Sequence, residues 1–209
     1  KTLNIQRTNI IEKGVGTLLI ESQFKNAVKK YFGHIKFDLV TYSTPPITFS
    51  NVIEYVKKRD GAKSFLQLKD IFPQNAVDLG MFSKNSLLYK FFRRKEERLY
   101  QLSDYIGCMS PANVRYILKH NSFINIEKVE VCPNSVELQE YNEWSENERE
   151  KILKDLNIPS NKLLFIYGGN LGRPQGVDFL MEVIVANEKR NDTYLVIVGN
   201  GTEYGRMKQ

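Results

Sequence analysis

The sequence predicts an α/β protein built from two parallel-sheet units, neither of them complete. Three observations predict it. Short apolar runs alternate with helical stretches through the first 136 residues. Residues 163–201 then repeat a strand, a glycine turn and a helix, and a polar, acidic segment over 137–150 separates the two regions. Alternation at this rhythm implies parallel, doubly wound sheets with ligands at the strand carboxyl ends.

Taken in order, a helix is expected near 17–32, with no strand and loop unit ahead of it. Phe37 to Tyr42 reads as a strand stopped by Ser43-Thr44-Pro45-Pro46. Residues 47–59 read as a helix and 62–68 as a second strand. A helix over 84–101 leads to a third strand over 104–109. Pro111, a favoured first helical residue, opens a helix over 111–120, and 127–132 forms a fourth strand. Pro133-Asn134-Ser135 breaks the pattern, which puts the domain boundary at 136/137. Ser145 with Glu148 has the capping-box spacing for a helix running to Leu156.

The densest signal follows. Phe165-Ile166-Tyr167 enters Gly168-Gly169-Asn170-Leu171-Gly172, passes Arg173, and leaves through Gly176 as an amphipathic helix. Glycines let a backbone approach an anion, a helix start offers free N–H groups, and arginine adds a fixed charge, so the order suits a diphosphate. Tyr194 to Gly201 repeats the strand-then-glycine logic. The spacing is not G-x-G-x-x-G, which argues against a dehydrogenase-type dinucleotide fold.

Composition sets the outer limits. With 42% hydrophobic and 26% charged residues, the 209-residue chain has an ordinary globular balance. It has neither a membrane-span-length apolar run nor a signal-peptide layout, and a reducing cytoplasm fits. Cys108 and Cys132 sit in apolar runs and read as small core residues. Two cysteines and two distant histidines argue against a metal site. Charge is uneven: residues 1–136 hold 21 Lys and Arg against 12 Asp and Glu, a balance of +9, whereas 137–209 hold 9 against 12, a balance of −3. The split suggests an anionic partner for the first unit. A nucleic-acid module is the weakest reading, because the basic residues alternate with acids along helices.

Four segments together resemble the family 4 glycosyltransferases of bacterial capsule, O-antigen and exopolysaccharide assembly. They are Tyr42 to Pro46, Leu68 to Gly80, Val131 to Val136, and Tyr167 to Gly176. The resemblance implies the GT-B arrangement of two Rossmann-like domains. Residues 1–136 would take the acceptor, lacking the first strand unit, and 137–209 would begin the nucleotide-sugar domain. It implies retaining transfer from a UDP- or GDP-sugar to an undecaprenyl-diphosphate-linked saccharide. It further implies no metal or other cofactor, and a cytoplasmic protein peripheral to the inner face of the plasma membrane. Gly169, Asn170, Gly172 and Arg173 fall in the family's donor-phosphate loop. Gln175 stands where some members have a basic residue. The family's E-x7-E motif is absent, as is the opening strand with its glycine loop, so the chain is expected to be part of a longer enzyme. Two alternatives are a nucleotide-sugar 2-epimerase of the same architecture and a nonenzymatic nucleotide-sugar-binding subunit.

Individual residues carry paired readings. Asp70 is the catalytic candidate, for acceptor positioning or proton handling; otherwise it is a turn aspartate binding backbone N–H groups. Lys69 would point to the other sheet face if the strand persisted. Arg173 between glycines favours a phosphate ligand over a loop arginine. Gly199 and Gly201 would line the nucleotide pocket or simply make a tight turn, and Glu203 would meet a ribose or steady a helix start. On the 84–101 helix, Leu88, Phe92 and Leu99 share a face beside Lys90 to Lys95. That pattern is either a core stripe with a solvated basic back or, with Lys25, Lys29 and Lys30, a membrane-contacting surface. Tyr100, Tyr105 and Tyr116 read as structural, and His34 and His120 lack partners for catalysis.

Overall fold

The computed structural model describes residues 10–138, 140 and 145–208. The chain divides into two compact units, Lys1–Val136 and Glu137–Gln209. In the first, α1 (Ile10–Phe32) precedes β1 (Leu39–Ser43), α2 (Ser50–Asp60), β2 (Lys63–Leu68), α3 (Gln74–Asp78), α4 (Leu87–Leu102), β3 (Tyr105–Cys108), α5 (Pro111–His120) and β4 (Val129–Val131). All four strands are parallel and lie in the order β1-β2-β3-β4.

Among the described residues each crossover of this sheet steps the same way. Right-handed connections then place their helices on one face. Accordingly α2 packs on β1 and β2, α5 on β3 and β4, and α1 and α4 flank α2. The parallel α/β architecture itself is as expected, and with the second unit it is consistent with part of a Rossmann-like GT-B fold.

The core follows from period-two patterning. Ser64, Leu66 and Leu68 of β2 are buried while Lys63, Phe65 and Gln67 are not. Leu66 and Leu68 join Ile53, Leu99, Tyr100, Ile106, Cys108 and Ile117 in one cluster under the helices. Burial pushes the Cys108 thiol up to about 11, which marks an inert core residue. Cys132, expected to be equally buried, is only half-buried, because it lies just past the end of β4.

Helix ends obey local chemistry. Gly61 closes α2 in the left-handed conformation with φ 73°. Ser86 and Ser110 accept N–H bonds at the starts of α4 and α5, and Pro111 begins α5 as expected. The carboxylate of Glu21 on α1 accepts from the Asn51 backbone N–H and, at 2.8 Å, from its side-chain amide. It thereby satisfies the start of α2. The fourth strand is shorter than expected because the Asn125 side chain accepts from the Glu127 N–H and winds 126–128 into a 3-10 turn. The short α3 carries no strong periodicity and was not anticipated.

Polar clamps join these layers. The Lys57 ammonium, part-buried, donates to Ser64 Oγ (3.1 Å), Leu102 O (2.6 Å) and Asp104 Oδ2 (2.7 Å). Asp104 Oδ2 also accepts from the Ser64 N–H at 2.8 Å. Burial works to raise the Asp104 carboxyl, but hydrogen bonds from Lys57 and Ser64 and the Lys57 charge hold it below its ordinary value. Nearby, the Tyr42 and Ser103 hydroxyls meet at 2.6 Å, and burial pushes the Tyr42 phenol up to about 12. Farther along α4, Arg93 binds Glu96 (2.5 Å), Glu97 (3.3 Å), Asn121 and the His120 carbonyl, fastening α4 to the end of α5. Tyr100 donates to Glu96 at 2.7 Å, so its structural reading stands.

The second unit holds α6 (Glu146–Asp155), β5 (Leu163–Asn170), α7 (Val177–Glu188), β6 (Thr193–Asn200) and α8 (Tyr204–Met207). The capping box at Ser145 and Glu148 is present. Strands β5 and β6 pair in parallel over their full length. Leu153, Leu171, Val177 and Leu180 are buried, but Leu163, Ile166 and Phe179 are exposed. Residues 139 and 141–144 of the acidic segment lie outside the described residues.

Replacing Lys57 with methionine should lower stability by about 1–3 kcal/mol, because it strands the Asp104 carboxylate. Denaturant midpoints measure this. In the wild type the Asp104 contribution is present above the ordinary carboxylate value. It should fade as pH drops from about 5 through the lowered folded value. Asp104→Asn should remove that part of the pH dependence.

Candidate functional site

The glycine segment of the second unit begins as strand rather than loop. Gly168, Gly169 and Asn170 extend β5 and pair with Val198, Gly199 and Asn200 of β6. The turn itself starts at Leu171, which is buried, so the expected loop is shorter by three residues. Close approach explains the far strand's glycines. A Cβ on Gly199 would strike the Gly169 carbonyl, and one on Gly201 would strike the Leu171 backbone. Leu171 is held on both sides, donating its N–H to Asn200 O (2.9 Å) and accepting from the Glu203 N–H (2.9 Å).

After Gly172 the chain makes one 3-10 turn, Arg173–Gln175. Gly176 then takes the left-handed conformation, φ 69°, and starts α7. No side chain caps α7, so its first N–H groups keep their donor capacity. Asp178 in that first turn is occupied by Arg206 at 2.7 Å. Asn170 Nδ2 donates to Gln175 Oε1 at 2.9 Å, and the Tyr167 hydroxyl donates to the Asn170 carbonyl at 3.0 Å, closing the turn internally.

Arg173 is 83% exposed, and its Nε lies 3.8 Å from Glu203 Oε1, a long contact. Glu203 is itself far less exposed, and it reaches Arg206 at 3.4 Å. It sits at the start of α8, where the helix-steadying reading placed it, and it also leashes Arg173. Gly169, Asn170, Gly172, Arg173, Gly199 and Gly201 thus gather at the carboxyl ends of β5 and β6. The arrangement combines glycine backbone, an uncapped helix start and one exposed guanidinium, groups whose chemistry suits an anion.

In the first unit, Asp70 lies two residues beyond β2, exposed, at the carboxyl edge of the sheet. Its backbone is gripped by Thr44, whose buried Oγ1 donates to Asp70 O (3.0 Å) and faces the Asp70 N–H at 3.4 Å. Among the described residues the Asp70 carboxylate has no hydrogen-bond or ionic partner, so it is not the N–H-binding turn aspartate. Lys69 is also outside the strand and exposed, so no sheet face orients it. Thr44 was missed from sequence; its signal was its place in Ser43-Thr44-Pro45-Pro46, read only as a strand stop. His120 bonds the Tyr116 carbonyl through Nδ1 (2.8 Å) and stacks on its ring, a structural role.

The fold and these edges define the class: parallel α/β units consistent with part of a GT-B protein. No protein-family model matches the chain. It is similar to the "Probable glycosyltransferase WbjE" of Pseudomonas aeruginosa, 26% identical over 181 residues, covering 82% of this chain and 42% of that protein. It is also similar to the "Putative colanic acid biosynthesis glycosyl transferase WcaI" of Escherichia coli (strain K12), 24% identical over 182 residues, covering 83% of this chain and 42% of that protein. Both of those proteins are named as glycosyltransferases, and the second is named for colanic acid biosynthesis. The chain spans about two-fifths of the length of these curated relatives.

Adding a methyl group at Gly201 should cost about 1–3 kcal/mol, since the obstructing atoms are backbone and cannot yield. Gly168→Ala, facing open space, should stay within about 0.5 kcal/mol of the wild type. Urea unfolding of both variants checks the contrast.

Proposed function

We propose that this chain is the acceptor-side domain and the beginning of the donor domain of a retaining glycosyltransferase. The enzyme moves a sugar from a UDP- or GDP-sugar to an undecaprenyl-diphosphate-linked saccharide during surface polysaccharide assembly. It works at the cytoplasmic face of the membrane. The observation that carries the reading is the exposed Arg173 beside the uncapped start of α7, within a turn whose glycines admit a close-lying anion.

On this reading the diphosphate lies against the Gly169-Asn170 edge and the Gly172–Gly176 turn. Arg173 exchanges its long contact with Glu203 for shorter bonds to phosphate oxygens. As the glycosidic bond to the diphosphate breaks, negative charge grows on the leaving group. The guanidinium and the α7 N–H groups stabilise it without a metal ion. Gly199 and Gly201 border the nucleoside. Asp70, with its carboxylate uncommitted and its backbone held by Thr44, accepts a hydrogen bond from the acceptor hydroxyl and orients it.

Arg173→Ala in the complete protein should weaken nucleotide-sugar binding by about 10- to 100-fold, measured by calorimetry. Equal affinity in the two proteins would remove the phosphate role. Asp70→Asn should lower kcat by roughly 100-fold with little change in donor affinity. Undiminished turnover would return Asp70 to a surface role.

A further inference from the structure

The start of α4 holds a surface that the proposed chemistry does not use. Leu87, the first residue of the helix, is 83% exposed, and Met81, in the turn before it, is 69% exposed. Leu79, Leu88 and Phe91 are exposed as well. Helical spacing puts Leu88 on one face with Phe92 and Leu99, either a core stripe or part of a membrane-contacting surface. Leu99 is fully buried and Phe92 packs at the cluster edge, but Leu88 lies outside the cluster and is exposed.

Cations surround these apolar side chains. Lys84 precedes the helix, Lys90 and Arg94 are exposed on the side of Leu87, away from Glu96, Leu99 and Tyr100, and Lys95 is half-buried at the edge of that side. Among the described residues none of the four meets a carboxylate. Lys95 rests over the Phe91 ring at 5.8 Å. The neighbouring acids are committed elsewhere: Glu96 and Glu97 to Arg93, Glu54 to Lys58 and Arg98, and Asp78 to the Gln74 amide. The surface therefore combines large exposed hydrophobes with uncompensated charge of one sign.

We propose that the segment 79–95 seats this unit on an anionic phospholipid bilayer. Met81, Leu87, Leu88 and Phe91 enter the boundary between headgroups and acyl chains. Lys84, Lys90, Arg94 and Lys95 extend along their own stems to lipid phosphates. A fluid anionic surface satisfies four cations on flexible side chains wherever they point, whereas a protein partner would need acids at four set places. The uniform, unpaired charge favours the membrane for that reason. The inference deepens the proposed function and rests on its lipid-linked acceptor.

The test is sedimentation of the complete protein with vesicles free of any saccharide lipid. Vesicles of equal parts phosphatidylcholine and phosphatidylglycerol should bind it at least about tenfold more tightly than phosphatidylcholine alone, and added salt should weaken the binding. Changing Lys84, Lys90 and Arg94 together to glutamine should reduce partitioning on the order of 100-fold. The exposed pair Leu87→Ser with Phe91→Ser should reduce it about tenfold. Lys36→Gln with Leu39→Ser, two exposed positions at the amino edge of the sheet, should bind as the wild type does. Indifference to vesicle charge, or unchanged binding by the triple variant, overturns the proposal. A dimer dissolved by the Leu87 and Phe91 changes, without vesicle binding, would reassign the patch to a second copy of the chain. Nucleotide-sugar affinity, measured on the same samples, separates the two readings. Lost vesicle binding with intact donor binding sinks only the membrane surface, and the reverse sinks only the transferase.

Discussion

One ammonium group organises the first unit. Lys57 reaches from α2 to the start of β2, the last carbonyl of α4 and Asp104, just ahead of β3. Three oxygens share its charge, and the Asp104 carboxylate returns hydrogen bonding to the Ser64 backbone. A part-buried charge with three partners holds them in one geometry, because removing any of them leaves a polar group short of a hydrogen bond. The node sits at the amino ends of β2 and β3, opposite the edge that carries Asp70. By holding β2 and β3 in register there, it also fixes the carboxyl edge that carries Asp70.

The two units hold themselves together differently. The first has a continuous cluster of apolar side chains between sheet and helices, reinforced by the Lys57 and Arg93 clamps. The second relies on backbone closeness: two parallel strands paired to their last residues, with Leu171 gripped between Asn200 and Glu203. That construction makes glycine a requirement where the strand ends converge. It leaves the turn free to present N–H groups, while exposing Leu163, Ile166 and Phe179 on the paired strands and α7.

Electrostatics divides along the same line. In the first unit the acids near α2 and α4 are consumed by structural pairs, so the positive excess left over is concentrated on outward-facing lysines and arginines. In the second unit the charges near the glycine turn form a small chain, Arg173 to Glu203 to Arg206 to Asp178. Its weakest link is the one an anion would replace. The first unit thus has a diffuse positive surface, whereas at the glycine turn of the second the exposed Arg173 stands beside Glu203.

Periodicity and turn chemistry made most of the elements legible. The strand alternation around Leu66, the Pro111 start of α5 and the Ser145–Glu148 capping box depend on neighbours in sequence, so one-dimensional reading suffices for them. The glycine-rich segment and Asp70 were visible as candidates for the same reason. Tertiary structure decided the rest. Strand order, and with it the single-direction winding, depends on which edges pair. The burial of Leu99 and exposure of Leu88 depend on which neighbours α4 meets along its length. Gly168 to Asn170 became strand only because β6 lay alongside to pair with them. Thr44 acquired its grip on Asp70 only when β1 and β2 became neighbours. Local pattern specifies what each segment can be; long-range pairing, worth nothing until the chain has folded, selects what it touches.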